Sequence, residues 1–224
     1  MEGQLKLWGD DVEAETSGLK ITDIRQAVKN ENRVNVFVNN KYAFSLDISQ
    51  VVDFHIKKGL AISAEQLEEY KRASEFGKLY QRALEWTLTR PHSEREVRDY
   101  LRRKIYEKKV DKEYVDKILD KLKEKKYVND EAFATYYVEN RFVRRGISRK
   151  RLYMELMQKG VAQDIIEEAL NARNDEDEIL KIIAKKRAKY DDVGLIQYLC
   201  RQGFSYQLAQ DLVRTYETDS QSWE

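Results

Sequence analysis

"LYMELMQKGVAQDIIEEAL" (152–170) lies over "LIQYLCRQGFSYQLAQDLV" (195–213) without a gap, at an offset of 43 residues. Leu152 meets Leu195, Leu156 meets Leu199, Gly160 meets Gly203 and Leu170 meets Val213. In both stretches apolar residues recur at helical spacing, a glycine stops the helix, and a second helix follows. Val97 and Leu101 align with Leu152 and Leu156 at an offset of 55, and Val110, Val115 and Leu119 align with Val161, Ile166 and Leu170 at an offset of 51. The four-residue difference places a longer connection around "RRKIYEKK" in the first copy. The pattern predicts a three-helix unit present three times between 75 and 217. One such unit cannot bury its apolar face alone. Stacked copies share a continuous core, so the expected architecture is mainly α: three tandem three-helix repeats in an elongated, curved array with a groove.

Working outward, the front of the chain reads differently. "RVNVFVNNKYAFSLD" (33–47) alternates Val34, Val36 and Val38, turns at Asn39-Asn40, and resumes with Tyr42, Phe44 and Leu46. Asparagine tolerates positive φ, so the turn suits a hairpin. "LKITDIRQAV" (19–28) offers a third strand, which a hairpin needs for stability. Ser49 is expected to cap a short helix through Val52, Phe54 and Ile56, ending at Gly59. Capping boxes at Ser63/Gln66 and Ser93/Glu96 open two helices separated by Pro91. Asp111 is the expected cap of the next, and Asn129 or Asp130 of the one after. Gly146 then ends a helix and Ser148 opens another. The expected division is an acidic tail (1–18), a small β-rich unit with one helix (19–62), repeats at 75–130, 130–174 and 175–217 within a helical body (63–217), and a C-terminal tail (218–224).

Composition agrees with helices. The chain has 224 residues with one proline and nine glycines, and 36% of them are charged. The start is acidic without an apolar core, and no apolar run reaches the roughly 18 residues of a membrane span. Cys200 is the single cysteine, so no internal disulfide or cysteine metal site forms. A cytoplasmic protein without membrane association is expected.

A search for chemistry returns little. His55, read within a helix, and His92, read at a loop beside Pro91, are taken as surface or helix-end residues. They give no metal-ligand spacing, and neither GxGxxG nor GxxxxGK[ST] occurs. The acidic run Asp175–Glu178 falls at a helix start, where it complements the dipole. No catalytic constellation, cofactor or metal is expected.

Charge is informative locally. Net charge is +1, yet residues 1–70 carry eight basic and twelve acidic side chains, while 141–160 carry seven basic residues against Glu155. "RFVRRGISRKRL" (141–152) spans the junction between the first and second helices of the middle repeat. Arg141, Arg144 and Arg145 share a helix face, and Arg149, Lys150 and Arg151 sit in the first turn of the next helix. Cations are disfavoured there, so their crowding points to a negatively charged partner: phosphate, which guanidinium and helix-end amides both bind, or an acidic protein groove. A solvated helical turn is the plain alternative. Weaker basic clusters are Arg102, Arg103 and Lys104, and Lys185, Lys186 and Arg187. Both interleave tyrosine with cations, a pattern that can stack on single-stranded bases but more often packs.

"KKYVNDEAFATYYVENRFVRRGISRKRLYMELMQKGV" (125–161) resembles the central signature of the RecX family of recombination regulators. The matching positions are Tyr127, Val128, Asn129, Asp130, Phe133, Ala134, Arg141, Gly146, Glu155, Leu156, Lys159, Gly160 and Val161. "HSEREVRDYLRRK" (92–104) is similar to the family's first-repeat element, and 19–60 looks like the β-rich extension of longer members. The resemblance implies a non-enzymatic modulator that binds the RecA–DNA filament, typically in its groove, and inhibits strand exchange, ATPase and co-protease activities, with DNA bound directly by some members. A monomer is expected. Separate readings are a DNA-binding protein acting without RecA and a helical scaffold.

Overall fold

The computed structural model of the chain describes residues 18–28, 30–108 and 112–221, without the side chains of 108, 141–145 and 217–221. Two compact units divide between Gln81 and Arg82.

In the first unit the alternating segment forms an antiparallel sheet of β1 (Leu19–Ala27), β2 (Asn30–Val38), β3 (Lys41–Asp47) and β4 (Ala61–Ile62), in the order β3-β2-β1-β4. Asn39 and Asn40 both adopt positive φ, 47° and 64°. Two such residues suit the right-handed twist of a hairpin. The turn is also tied to β1: Asn39 Oδ1 accepts the Lys20 N–H at 3.0 Å, and the Asn40 N–H donates to Thr22 Oγ1 at 2.8 Å. Ile21, Val36, Val38, Phe44 and Leu46 form one buried cluster with Ile56, Ile62 and Tyr70, against which Val34 packs.

Three expectations change in this unit. A register shift between Val36 and Phe37 sets Tyr42 opposite Phe37, so Tyr42 leaves the row of Phe44 and Leu46 and is 54% exposed. The strand β4 was not foreseen, because two residues carry no alternation. The short helix α1 spans Ile48–Asp53. Its N-cap is Asp47, not Ser49, and Gln50 Oε1 accepts the Asp47 N–H at 3.0 Å. The helix stops before Phe54 and Ile56, and His55, at φ 52°, lies beyond its end. The long helix α2 (Ala64–Thr87) opens on the foreseen capping box, with the Gln66 N–H bonded to Ser63 Oγ at 3.1 Å and the Ser63 N–H to Gln66 Oε1 at 2.9 Å.

The second unit continues with α3 (Glu94–Lys108), α4 (Tyr114–Glu124), α5 (Asp130–Arg145), α6 (Arg149–Gln158), α7 (Gln163–Ala169), α8 (Asp175–Lys186), α9 (Asp192–Arg201) and α10 (Tyr206–Gln221). The starts of α3, α6 and α9 are separated by 149 − 94 = 55 and 192 − 149 = 43 residues, the same offsets as the sequence repeat. Gly160 and Gly203 take φ of 80° and 94°. At the first, the Val161 N–H returns to the Leu156 carbonyl at 3.2 Å; at the second, the Phe204 N–H returns to the Leu199 carbonyl at 3.3 Å. This bond satisfies an orphan carbonyl and requires a left-handed residue, which glycine supplies without a Cβ penalty. Each later repeat has its own core: Phe133, Leu152, Leu156, Ile166 and Leu170 in the middle copy, and Ile179, Ile183, Leu195, Leu199 and Val213 in the last.

The cap of α5 is Asn129, whose Oδ1 accepts the Ala132 N–H at 2.8 Å. Asp130 has a different task, described below. Val110 and Asp111 lie outside the described residues. The residue before α4 is Glu113, which makes no side-chain cap bond. Gly146 follows α5 at φ 52°, and Ser148 caps α6 by accepting the Arg151 N–H at 3.2 Å.

Candidate interaction surface

The repeats meet through a joint that occurs twice. The N–H of Glu94, first residue of α3, donates to Asp130 Oδ1 at 2.8 Å. The N–H of Arg149, first residue of α6, donates to Asp175 Oδ1 at 2.7 Å. In each case an aspartate opening the next repeat caps the second helix of the one before. The cap serines bond across the same joint: Ser93 Oγ donates to the Lys159 carbonyl at 2.8 Å, and the Ser148 N–H donates to the Gln202 carbonyl at 3.2 Å. These carbonyls precede the two glycine turns, so the glycines also admit the neighbouring repeat. A Cβ on Gly160 would lie 2.9 Å from Arg95 Cβ, and one on Gly203 would lie 2.6 Å from Ser148 Oγ.

Charge holds the first joint. Glu96, in α3, meets His92 Nδ1 at 3.1 Å, Lys159 Nζ at 2.6 Å and Arg90 at 3.2 Å. Its side chain is 14% exposed. Burial opposes its ionisation, but the bonds from His92 and Lys159 and the charge of Arg90 outweigh it and hold the carboxyl down to about 2. Of the expected Ser93/Glu96 capping box only the serine half forms, with the Glu96 N–H on Ser93 Oγ at 3.1 Å; the carboxylate is spent on the joint instead. His92 is 2% exposed beside the Trp86 ring, so the expectation of a surface residue is overturned. Burial pushes the Asp130 carboxyl up, and the charge of nearby Glu94 adds to the rise.

The basic segment sits on the second joint. Arg149 and Lys150 are exposed in the first turn of α6, and among the described residues neither makes an ion pair. The backbone places Arg141, Arg144 and Arg145 in the last turn or so of α5; their side chains lie outside the described set. Arg151 belongs to the joint: its Nη1 donates to the Arg201 carbonyl at 2.8 Å, and its Nε to Glu155 at 3.3 Å. Two sequence arguments therefore need correction. The α6 N-terminal amides of Arg149 and Arg151 already have internal acceptors, so they do not add to a phosphate site. The Asp175 carboxylate also supplies negative charge at that helix end, so the cations are not crowded there uncompensated.

The other two clusters are more occupied. Arg102 approaches Asp99 at 3.8 Å and Lys104 bonds Glu107 at 2.8 Å, while Arg103 is exposed. Lys186 Nζ lies 4.7 Å from the Tyr198 ring centroid and 5.9 Å from that of Tyr190, Arg187 pairs with Asp192, and Lys185 is exposed. The tyrosines around Lys186 are packing partners of the cation.

Sequence reasoning missed Arg173, which donates to the Ile147 carbonyl and so ties the α5–α6 turn to the loop before α8. Burial lowers its pKa against the pull of Glu178 and Asp175. No periodicity marks such a residue. A cleft of about 720 Å³ between α5, α7 and α8 is lined by Glu131, Glu139, Asp164, Glu168, Asp177 and Glu178, opposed by Arg173 and Lys181. The cleft therefore presents mainly negative charge. Among the described residues no group of three acids, histidines or cysteines could hold a metal ion, and no helix is long and apolar enough to cross a membrane.

Known proteins resemble this chain in sequence and in fold. The family model described as "RecX, second three-helix domain" matches residues 129–170, and "Regulatory protein RecX N-terminal domain" matches 19–63. Regulatory protein RecX of Bacillus subtilis (strain 168) is 33% identical over 212 residues, covering 89% of this chain and 78% of that protein. Regulatory protein RecX of Bacillus licheniformis is 31% identical over 211 residues, covering 89% and 79%. A crystal structure of regulatory protein RecX superposes with a TM-score of 0.65 at 24% identity, covering 87% of this chain and 98% of that one, and so shares the fold. RecX from Lactobacillus salivarius gives 0.52 at 22% identity, covering 65% and 99%. The two matched models, the near-full-length relatives at over 30% identity and the shared fold have one conclusion: this chain belongs to the RecX family of regulatory proteins.

Proposed function

We propose that the chain regulates homologous recombination and repair by binding the RecA–DNA filament and inhibiting strand exchange, ATPase and co-protease activities, as a cytoplasmic monomer without catalysis of its own. Membership of a family named for regulation supports this reading, and the observation that carries it is the placement of Arg149 and Lys150. Both are solvent-facing and without ion pairs among the described residues, on a turn that the two-repeat joint fixes in position. Such cations meet filament phosphate with little reorganisation. The flanking Arg141, Arg144 and Arg145 extend the same turn, and Arg103 and Lys185 are secondary contacts. The working division for dissecting the activity is the β-rich unit 19–62 and repeats at 75–130, 130–174 and 175–217.

The test is the single-stranded-DNA-dependent ATPase of RecA with the purified chain added. Inhibition at amounts stoichiometric with RecA is expected; no effect there sinks the proposal. A second reading, DNA binding without RecA, rests on the same exposed cations. It predicts DNA affinity that falls steeply with salt and equal action on DNA alone.

A further inference from the structure

We propose that the outer face of the N-terminal sheet is a second binding site, one that takes the bases of single-stranded DNA. The register shift between Val36 and Phe37 is the origin of this face. It sets Tyr42 of β3 beside Phe37 of β2, with ring centroids 6.1 Å apart at 80°. Asp23 and Arg25 of β1 complete the row, through the pairs Asp23 with Phe37 and Arg25 with Asn35. The Arg25 guanidinium lies 4.9 Å from the Phe37 centroid and its side chain is 68% exposed. Asp23, the acid of this row, is bonded to Arg25 at 2.7 Å, which holds its carboxyl below the usual range. Lys20 of β1 is exposed at the end of the sheet that holds the Asn39–Asn40 turn, where its N–H bonds Asn39 Oδ1.

The chemistry selects the partner. An exposed tyrosine ring beside a planar cation, with Lys20 at the same end of the sheet, offers a stacking surface and phosphate contacts together. The two rings stand edge to face, so they cannot both lie flat under consecutive bases; Tyr42 is the stacking residue and Arg25, held over Phe37, the planar cation. Duplex DNA hides its base faces and fits this surface poorly. A basic protein is repelled by it. Residues 19–62 hold seven basic and four acidic side chains, a net charge of 7 − 4 = +3 against +1 for the whole chain, so the unit that bears the aromatic face is more basic than the chain as a whole. The choice of DNA over RNA rests on the recombination reading above; the stacking surface itself does not.

The experiment is fluorescence anisotropy of the full chain with a fluorescein-labelled oligothymidylate about 20 nucleotides long, without RecA. Replacing one base stack predicts that Tyr42→Ala and Tyr42→Leu each weaken binding about tenfold, while Tyr42→Phe binds as the parent does. Arg25→Ala weakens binding and lowers the salt slope by about one. An abasic oligonucleotide of equal length binds more weakly and is indifferent to Tyr42→Leu. Tyr42 is exposed, so unchanged circular dichroism and melting are expected and serve as the fold control. The proposal is overturned if Tyr42→Leu binds within about twofold of the parent, if the abasic or duplex probe binds as well as oligothymidylate, if oligouridylate RNA binds more tightly, or if the parent binds none of them. A chain that inhibits RecA yet ignores Tyr42→Leu here refutes only this site. A chain that binds oligothymidylate through Tyr42 but leaves RecA unaffected refutes only the regulatory reading.

Discussion

Glu96→Gln removes one charge from the joint between the first two repeats and leaves the shape of the side chain nearly intact. Glu96 is held by His92, Lys159 and Arg90, and its carboxyl titrates at about 2 in place of an ordinary 4.5. At about 1.36 kcal/mol per pH unit the gap is worth about 3 kcal/mol at neutral pH, an order-of-magnitude ceiling. The sign follows from a depressed folded-state value. The contribution is fully present above the unfolded value near 4.5 and is lost as pH falls through about 2. At pH 3 linkage leaves about 1.4 kcal/mol, under half of the neutral value. Urea unfolding of parent and variant at pH 7, 4.5 and 3 measures the difference. Glutamine does not titrate, so any pH dependence of that difference belongs to Glu96 and the groups it holds. The expected series is a difference of about 2–3 kcal/mol at pH 7, little changed at pH 4.5, and clearly smaller at pH 3. A difference below about 0.5 kcal/mol at pH 7, or one that is flat with pH, refutes the claim that this carboxylate secures the joint.

Two further predictions concern the joint and the basic turn. Gly203→Ala is expected to cost about 2 kcal/mol or more, combining left-handed backbone strain with a Cβ 2.6 Å from Ser148 Oγ. Gly59→Ala, at φ 90° but with its nearest neighbour atom 4.0 Å away, is expected to cost only about 1 kcal/mol, and equal losses in thermal melts would show that the joint is not tightly packed there. Arg149→Ala with Lys150→Ala is expected to leave the melting temperature unchanged, because both side chains are exposed, and to weaken inhibition of RecA several-fold with a salt slope reduced by about two. An unchanged inhibition curve would remove this turn from the interface.

The helical repeat was legible because its period is carried by residues that the fold constrains: leucines one turn apart, and Gly160 and Gly203, whose left-handed φ closes the second helix of the two later repeats. The strands were legible from alternation. What stayed hidden depends on pairs far apart in sequence. Asp130 read as a possible cap of its own helix, yet it caps the helix beginning 36 residues earlier at Glu94. Glu96 read as half of a local box, but Lys159, 63 residues on, competes for it successfully because a buried charge gains more from a cation than from its own backbone. Tyr42 read as inward because alternation assumes unbroken register, and one shift at Val36–Phe37 turns it outward. At the basic segment the sequence located the charge but not its division: Arg151 bonds within the joint, whereas Arg149 and Lys150 are exposed and make no ion pair among the described residues.

The most direct test of regulation through the filament is an electron-microscopic reconstruction of RecA on single-stranded DNA with this chain added in stoichiometric amounts. The account predicts continuous extra density along the filament groove, with the α5–α6 turn nearest the DNA phosphates and the density weakened when Arg149 and Lys150 are both alanine. A bare filament, or density that is unchanged by those substitutions and faces away from the DNA, would contradict it.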